Sequence, residues 1–201
     1  MAGVIGKGGV IAFRTDTFYG LGADPFNRRA VQRIKQLKGR DDQKPILIVI
    51  SDQSQLDLFI VARTPGFNLL AEKFWPGPLT LIGKAASELP EEITAGTGTV
   101  GVRWPTDQQV RTLIEACGGG LTATSANPTN QSPAKTARVV EKYFGEQLDL
   151  IVDGGEAVTD EPSTVIDTTG TVSLIREGVL SWSRIESALS EAHAKTQRRK
   201  E

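Results

Sequence analysis

Apolar and polar positions along this chain switch repeatedly between a two-residue and a helical period. Val10-Ile11-Ala12-Phe13, following Gly8-Gly9, is a short apolar run that predicts a buried strand. Asn27 then stands where a helix N-cap belongs, ahead of Ala30, Val31, Ile34 and Leu37 at helical spacing, and Gly39 occupies the position of a left-handed C-terminal cap. Ile46-Leu47-Ile48-Val49-Ile50 is apolar at every position, the pattern of a strand buried on both faces. Two short helices are predicted over Gln53–Val61 and Gly66–Phe74, the second stopped by Trp75-Pro76-Gly77-Pro78. Strands follow over Leu79–Ile82 and Thr99–Arg103, then a helix over Asp107–Cys117 ending at Gly118-Gly119-Gly120. The remaining elements are a strand Leu121–Thr124, a helix Lys135–Phe144, strands Leu148–Val152, Ser163–Asp167 and Val172–Arg176, and a helix Ser183–His193. This alternation, with no Pro/Ser-rich linker, predicts a single α/β domain over 1–185, with 186–201 forming a helix end and charged tail. The hairpin-like pieces near the end predict a mixed sheet.

Composition narrows the chemistry. The chain has 201 residues, 39% hydrophobic and 23% charged, with 23 Lys and Arg against 24 Asp and Glu for a net charge of −1. That is one ordinary domain, large enough to fold without a staple, and it is not a globally basic nucleic-acid coat. One Cys (Cys117) and one His (His193) leave no parts for an intramolecular disulfide, a Cys/His zinc site, a Ser-His-Asp triad or a Cys-His pair. No apolar run approaches the ~20 residues of a membrane span, and the first residues carry only Lys7, too little for a secretory signal. A cytoplasmic protein without a membrane partner is expected, its chemistry drawn from Lys, Arg, Ser, Thr, Asp, Asn and backbone groups. The basic tail Lys195, Arg198, Arg199 and Lys200 reads as solvated, with RNA contact the alternative.

Three polar clusters stand at ends of apolar strands, where α/β sheets place their ligands. Arg14-Thr15-Asp16-Thr17-Phe18-Tyr19-Gly20-Leu21-Gly22 offers hydroxyls and backbone N–H groups to a small polar ligand, or is a Gly-rich turn with local hydroxyl–backbone bonds. From Arg28 to Lys44 there are seven basic and two acidic residues, a local balance of +5. Lys38, Arg40 and Lys44 within it suit a polyphosphate, against the alternative of a solvated helix face. Leu121-Thr122-Ala123-Thr124-Ser125-Ala126-Asn127-Pro128 lets a ligand approach the backbone closely, or is a turn with an Asn cap. There is no Gly-x4-Gly-Lys-Ser/Thr, which excludes a P-loop, and no Gly-x-Gly-x-x-Gly after the first strand.

Taken together, Thr15-Asp16-Thr17-x-Tyr19-Gly20-Leu21, Lys38-Gly39-Arg40 with Lys44-Pro45, Trp75-Pro76-Gly77-Pro78-x-Thr80, Val102-Arg103-x-Pro105, Thr124-Ser125-Ala126-Asn127, Ser163-Thr164-Val165-Ile166-Asp167 and Arg176-x-Gly178 resemble, in order and spacing, the YrdC-type threonylcarbamoyl-AMP synthases in their short, single-domain form. The resemblance implies a twisted open α/β sheet around a large, positively charged concave cavity. It implies a nucleotidyl transfer in which L-threonine, bicarbonate and ATP, with Mg²⁺, give threonylcarbamoyl-AMP and pyrophosphate. The product would pass to a transferase complex that modifies the adenosine beside the anticodon of tRNAs.

Carried over by motif, Lys38, Arg40 and Arg103 would be catalytic. Arg40, Lys44, Thr99, Ser125, Asn127 and Arg176 would hold ATP, and Thr15, Thr17, Tyr19, the backbone of Ala123 and Ser163 would contact or shape the site for threonine. Asp167 would brace the Ser163 strand, and no metal ligands are assigned. The chain departs from the family at Val49, where many members carry histidine, at Thr106-Asp107-Gln108, where the second and third residues are commonly His-Pro, and at Thr129-Asn130, where Ser-Gly is usual. The alternatives are a carbamoyl-AMP-forming nucleotidyltransferase and a double-stranded-RNA-binding or ribosome-maturation factor.

Overall fold

The computed structural model describes residues 1–39 and 44–198, with side chains through residue 192. In chain order the elements are α1 (Ala2–Ile5), β1 (Ile11–Arg14), β2 (Tyr19–Gly22), α2 (Arg28–Lys38), β3 (Ile48–Ile50), a 3₁₀ turn (Gln53–Leu58), β4 (Ile60–Ala62), α3 (Pro65–Phe74), β5 (Leu79–Ala85), α4 (Glu91–Thr94), β6 (Thr99–Arg103), α5 (Gln108–Ala116), β7 (Gly120–Thr122), β8 (Thr124–Ser125), α6 (Ala137–Phe144), a 3₁₀ turn (Gly145–Gln147), β9 (Leu150–Val152), β10 (Thr164–Asp167), β11 (Ser173–Arg176) and α7 (Trp182–Arg198).

The mixed α/β architecture is as expected, but the strands divide over two open sheets. One runs β8-β2-β1-β9; the other runs β11-β10-β5-β6-β3-β7, with β4 added on the end of β5. Both mix directions: β1 is antiparallel to β2 and parallel to β9, and β5 is parallel to β10 and antiparallel to β6.

Local chemistry accounts for most boundaries. Asn27 caps α2 by accepting from the Ala30 N–H, and Gly39 closes it at φ 59°. Asp107 caps α5 and Thr136 caps α6, each helix beginning at the residue after its polar cap. The helix expected over Gln53–Val61 is a 3₁₀ turn followed by strand β4. The Asp52/Gln55 capping box starts the turn, but Ile60 and Ala62 pair with the end of β5 instead of continuing it. The single strand expected over Leu121–Thr124 is two: Ala123 breaks it, so that β7 pairs with β3 in one sheet and β8 with β2 in the other. The terminal helix runs on past His193 to Arg198.

The larger core cluster spans both sheets, α2, α3 and α6, and includes Tyr19, Leu21, Ile34, Phe67, Leu81 and Val102. Val49 belongs to a second cluster with Ile11, Phe13, Ile114 and Leu121 and is fully buried. Near the C-terminus Gly178 is required by packing: a Cβ there would lie 2.1 Å from the Pro162 carbonyl oxygen. The only Cys, Cys117, is partly buried at the end of α5, and burial pushes its thiol above its ordinary value.

Candidate active site

The two sheets face each other across a cavity of about 310 Å³. Its floor is one face of the larger sheet. Strand alternation presents Thr80 and Ile82 from β5 and Gly101 and Arg103 from β6, with Ser163 and Val165 alongside from the start of β10. A bulge places Ile175 as an extra residue between Leu174 and Arg176, so that Arg176 pairs with Val165 and both Ile175 and Arg176 reach the cavity. The smaller sheet supplies Thr15, Thr17, Phe18, Tyr19 and Gly20 from the β1–β2 hairpin and Thr124 and Ser125 from β8. The Ala123 break is what brings β8 across to this wall.

The polar groups at one end of the cavity are interlocked. Arg103 is 3% exposed; its Nη2 pairs with Asp16 Oδ1 at 2.8 Å, and its Nη1 donates to Thr17 Oγ1 at 3.3 Å. The Asp16 contact is an ion pair without hydrogen-bond alignment, and the buried Arg103 Nε finds no acceptor among the described residues. Burial pushes the Arg103 guanidinium below its ordinary value, and the charge of Asp16 works against that. Thr15 Oγ1 donates to Phe18 O at 2.7 Å and accepts from the Thr17 N–H at 3.1 Å, which fixes the hairpin turn. Ser163 Oγ lies 3.0 Å from Thr80 Oγ1, both buried, and Arg176 Nη2 donates to the Ser163 carbonyl at 2.9 Å. Burial, and then the like charge of Arg103, lower the Arg176 guanidinium.

Tyr19 is among the lining residues, but it is fully buried and spends its hydroxyl elsewhere. The hydroxyl donates to the Gly155 carbonyl at 2.8 Å, with Asp153 Oδ1 at 3.3 Å, and accepts from the Gly154 N–H at 3.1 Å. Burial is the main cause of its raised pKa. Ala123 donates its N–H to Leu47 O at 2.9 Å, so any ligand contact from it is made by the carbonyl or the methyl group. Asp167 accepts from the Thr169 N–H and hydroxyl, a local turn, and makes no bond to Ser163.

The residues expected on the nucleotide are placed differently. Ser125 lines the cavity. Lys38, 2% exposed at the end of α2, donates to the carbonyls of Ser125 and of Asn127 (2.8 Å) and to Asn127 Oδ1 (3.3 Å). The Asn127 side chain in turn donates to the carbonyls of Pro128 and Gln131, and Thr129 donates its N–H and hydroxyl to the Lys38 carbonyl. Lys38 and Asn127 therefore organise the turn that follows β8 and do not line the cavity. Lys44 is exposed, next to Pro45 on the cavity wall. Thr99 begins β6 on the same face as Gly101 and Arg103, beyond the lining residues, with its hydroxyl 2.9 Å from Thr97 Oγ1. Arg40 lies outside the described residues, as do Lys200 and Arg199; the side chains of His193, Lys195 and Arg198 are likewise not described.

The departures from the family pattern have local explanations. Asn130 adopts φ 67°, the left-handed conformation that glycine takes freely and asparagine tolerates best among other residues. Asp107 caps α5 with Oδ1 and pairs with Arg14 through Oδ2 at 2.5 Å. Val49 faces the second core cluster and does not line the cavity. The lining residues that sequence reasoning left without a role include Thr80, Ile82, Gly101, Leu47, Pro162, Val165 and Ile175; the two-residue period running back from Arg103 and on from Ser163 would have found Gly101 and Val165.

The fold is open mixed α/β, and the charged side chains lining its cavity, among the described residues, are Arg103 and Arg176. The Sua5_yciO_yrdC family model, described as telomere recombination, matches residues 3–178, and the chain belongs to this family. A threonylcarbamoyl-AMP synthase of Pyrococcus abyssi is 38% identical over 192 residues, covering 94% of this chain and 56% of that protein. A threonylcarbamoyl-AMP synthase of Thiobacillus denitrificans is 38% identical over 161 residues, covering 80% of this chain and 85% of that protein. The crystal structure of P. abyssi Sua5 complexed with L-threonine matches with a TM-score of 0.89 at 38% identity, covering 93% of this chain and 55% of that one. The chain thus spans little more than half the length of the Pyrococcus relative and most of the Thiobacillus one.

Proposed function

We propose that this chain is a threonylcarbamoyl-AMP synthase. One observation carries the reading: among the described residues, the only ionisable side chains lining the cavity are Arg103, Arg176 and Tyr19, and the tyrosine hydroxyl is already committed to the 153–155 loop. Such a site binds anions but holds no lining carboxylate or imidazole to act as a general base. The proposed reaction fits that inventory. The amine of threonine and bicarbonate condense to a carbamate with loss of water. A carbamate oxygen, already anionic, attacks the α-phosphorus of ATP, and the bond to the β-phosphate oxygen breaks to release pyrophosphate. The protein's work is to hold two anions together and to offset their charge.

In this reading Arg103, Thr17 and Ser163 hold threonine and its carbamate, with Thr15 and Tyr19 shaping that end and the Ala123 carbonyl beside it. Ser125, Arg176, Thr99 and Lys44, with Arg40, take the nucleotide, and Lys38 and Asn127 fix the turn that carries Ser125. Mg²⁺ enters with ATP as part of the Mg–ATP substrate. The product is an activated acyl-adenylate for a transferase that modifies tRNA adenosine beside the anticodon, in the cytoplasm. No helix among the described residues is long and apolar enough to cross a membrane.

The test is pyrophosphate release from ATP by the purified protein with Mg²⁺, omitting threonine and bicarbonate in turn. Release that needs both supports the synthase. Release that needs bicarbonate but not threonine points to a carbamoyl-AMP-forming enzyme, and no release under any combination overturns the assignment.

A further inference from the structure

Asp16 stands between two residues of the cavity wall, Thr15 and Thr17, yet does not line the cavity itself. Its carboxylate is turned to Arg103, with Oδ1 2.8 Å from Nη2 and side-chain exposures of 11% and 4% for the two partners. Its other oxygen accepts from the Thr106 N–H at 3.4 Å, on the segment that leaves β6. Arg103 has no other anionic partner among the described residues. Its second hold is the long bond from Nη1 to Thr17, and its Nε is without an acceptor. A guanidinium is a rigid planar fork, so fixing one edge dictates where its remaining N–H groups point.

We propose that Asp16 is the positioning residue of the amino-acid end of this site: by holding Arg103 Nη2 it sets the direction from which the guanidinium meets the substrate carboxylate. This rests on the synthase reading above. Asp16 also offsets the charge of Arg103 close to Arg176, so the cavity wall carries less repulsion between its two cations. It acts through Arg103 and touches no substrate. A purely structural staple from the hairpin to the Thr106 segment would lower the unfolding temperature without discriminating between substrates. A positioning role predicts a selective effect on threonine.

The experiment measures KM for threonine and for ATP, threonine binding by calorimetry, and thermal unfolding, for the wild type, Asp16→Asn, Arg103→Gln and the double variant. Asp16→Asn is expected to raise the threonine KM and Kd by about tenfold or more while the ATP KM changes by about twofold or less. Because Asp16 acts through Arg103, the double variant should bind threonine no more weakly than Arg103→Gln alone. A folded Asp16→Asn with wild-type threonine affinity overturns the proposal, as does a double variant showing the product of the two single effects. Should Asp16→Asn fail to fold, the comparison of Arg103→Gln with the double variant, which leaves no unpaired charge, still decides. A wild type that neither binds threonine nor needs it for turnover would instead overturn the synthase reading.

Discussion

The two ends of the cavity are built in opposite ways. Around Arg103 the polar side chains hold one another: Arg103 is ion-paired with Asp16 and bonded to Thr17, Thr17 to Thr15, and Ser163 to Thr80 and Arg176. Around Ser125 the buried cation faces backbone, Lys38 holding the carbonyls of a turn, while Lys44 is exposed at the rim. The first end has its side-chain geometry set in advance. The second has its backbone set in advance and leaves recognition to side chains near the opening. Preorganisation of donors is what a small, exacting ligand requires, whereas a long polyanion is held well enough by cations spread along it.

The strongest way to break this contrast is Arg103→Ala. It leaves the buried Asp16 carboxylate without its partner, and truncating one member of such a pair costs roughly 2–5 kcal/mol. Threonine-dependent pyrophosphate release should fall on the order of 10²–10³-fold, with a lowered unfolding temperature; a variant with less than about a tenfold loss would show that the interlocked end is not where selectivity resides. Lys38→Met probes the other end. It leaves the Asn127 carbonyl without its donor and the Ser125 carbonyl with only the Asn127 N–H at 3.0 Å, and hydrogen bonds to a charged group are each worth about 1.5–3 kcal/mol. The expected outcome is an ATP KM raised about tenfold or more, with threonine affinity unchanged in calorimetry.

Ser163→Ala should be milder, about 1–3 kcal/mol or roughly a tenfold loss in kcat/KM for threonine, since Arg176 keeps the Ser163 carbonyl while the buried Thr80 hydroxyl loses its partner. Gly101→Ala sharpens the comparison from the floor shared by both ends. A Cβ there would come 3.0 Å from Thr80 Cγ2, a crowding that Thr80→Ser should relieve in steady-state kinetics. The smallest effect lies outside the site. Burial would raise Asp149, but the Val10 N–H and Arg33 outweigh it and hold the carboxyl below its ordinary value. A depressed folded pKa gives stability that is present above the unfolded value and lost as pH falls through the folded one. Asp149→Asn should therefore flatten the acid limb of an unfolding-temperature profile slightly and leave the neutral region nearly parallel to wild type.

These contrasts were unequally visible in the sequence. Thr99–Arg103 and the helix from Asn27 to Gly39 carry unambiguous signals: β-branched alternation in the first, a cap at each end of the second. Strand β2 was hidden because Tyr19-Gly20-Leu21-Gly22 reads as a turn; Gly22 fits where Phe13 packs closely, 2.7 Å from the position of a Gly22 Cβ. The break at Ala123 was hidden for a different reason. A strand that changes sheets has the same alternating composition as one that does not, and only the partners differ. Lys38 shows the limit of charge patterning: a lysine in a basic cluster reads as a ligand for phosphate, and nothing in its neighbours announces that its ammonium faces the carbonyls of a turn almost 90 residues away. Asn130 shows the reverse. Its departure from glycine looks disruptive as a letter and is benign as a dihedral angle.

The pairing of β1 with β9 joins Ile11 to Leu150, and the cavity is completed only by Arg176. A chain growing from a ribosome thus holds its first wall strand without a permanent neighbour on that side for on the order of ten seconds at ordinary elongation rates. Arg103 and Asp16 both emerge well before the strands that close the space around them. Long-range pairings of this kind form slowly, and shielding the edge of β1 during synthesis should raise the yield of folded protein without touching the cavity.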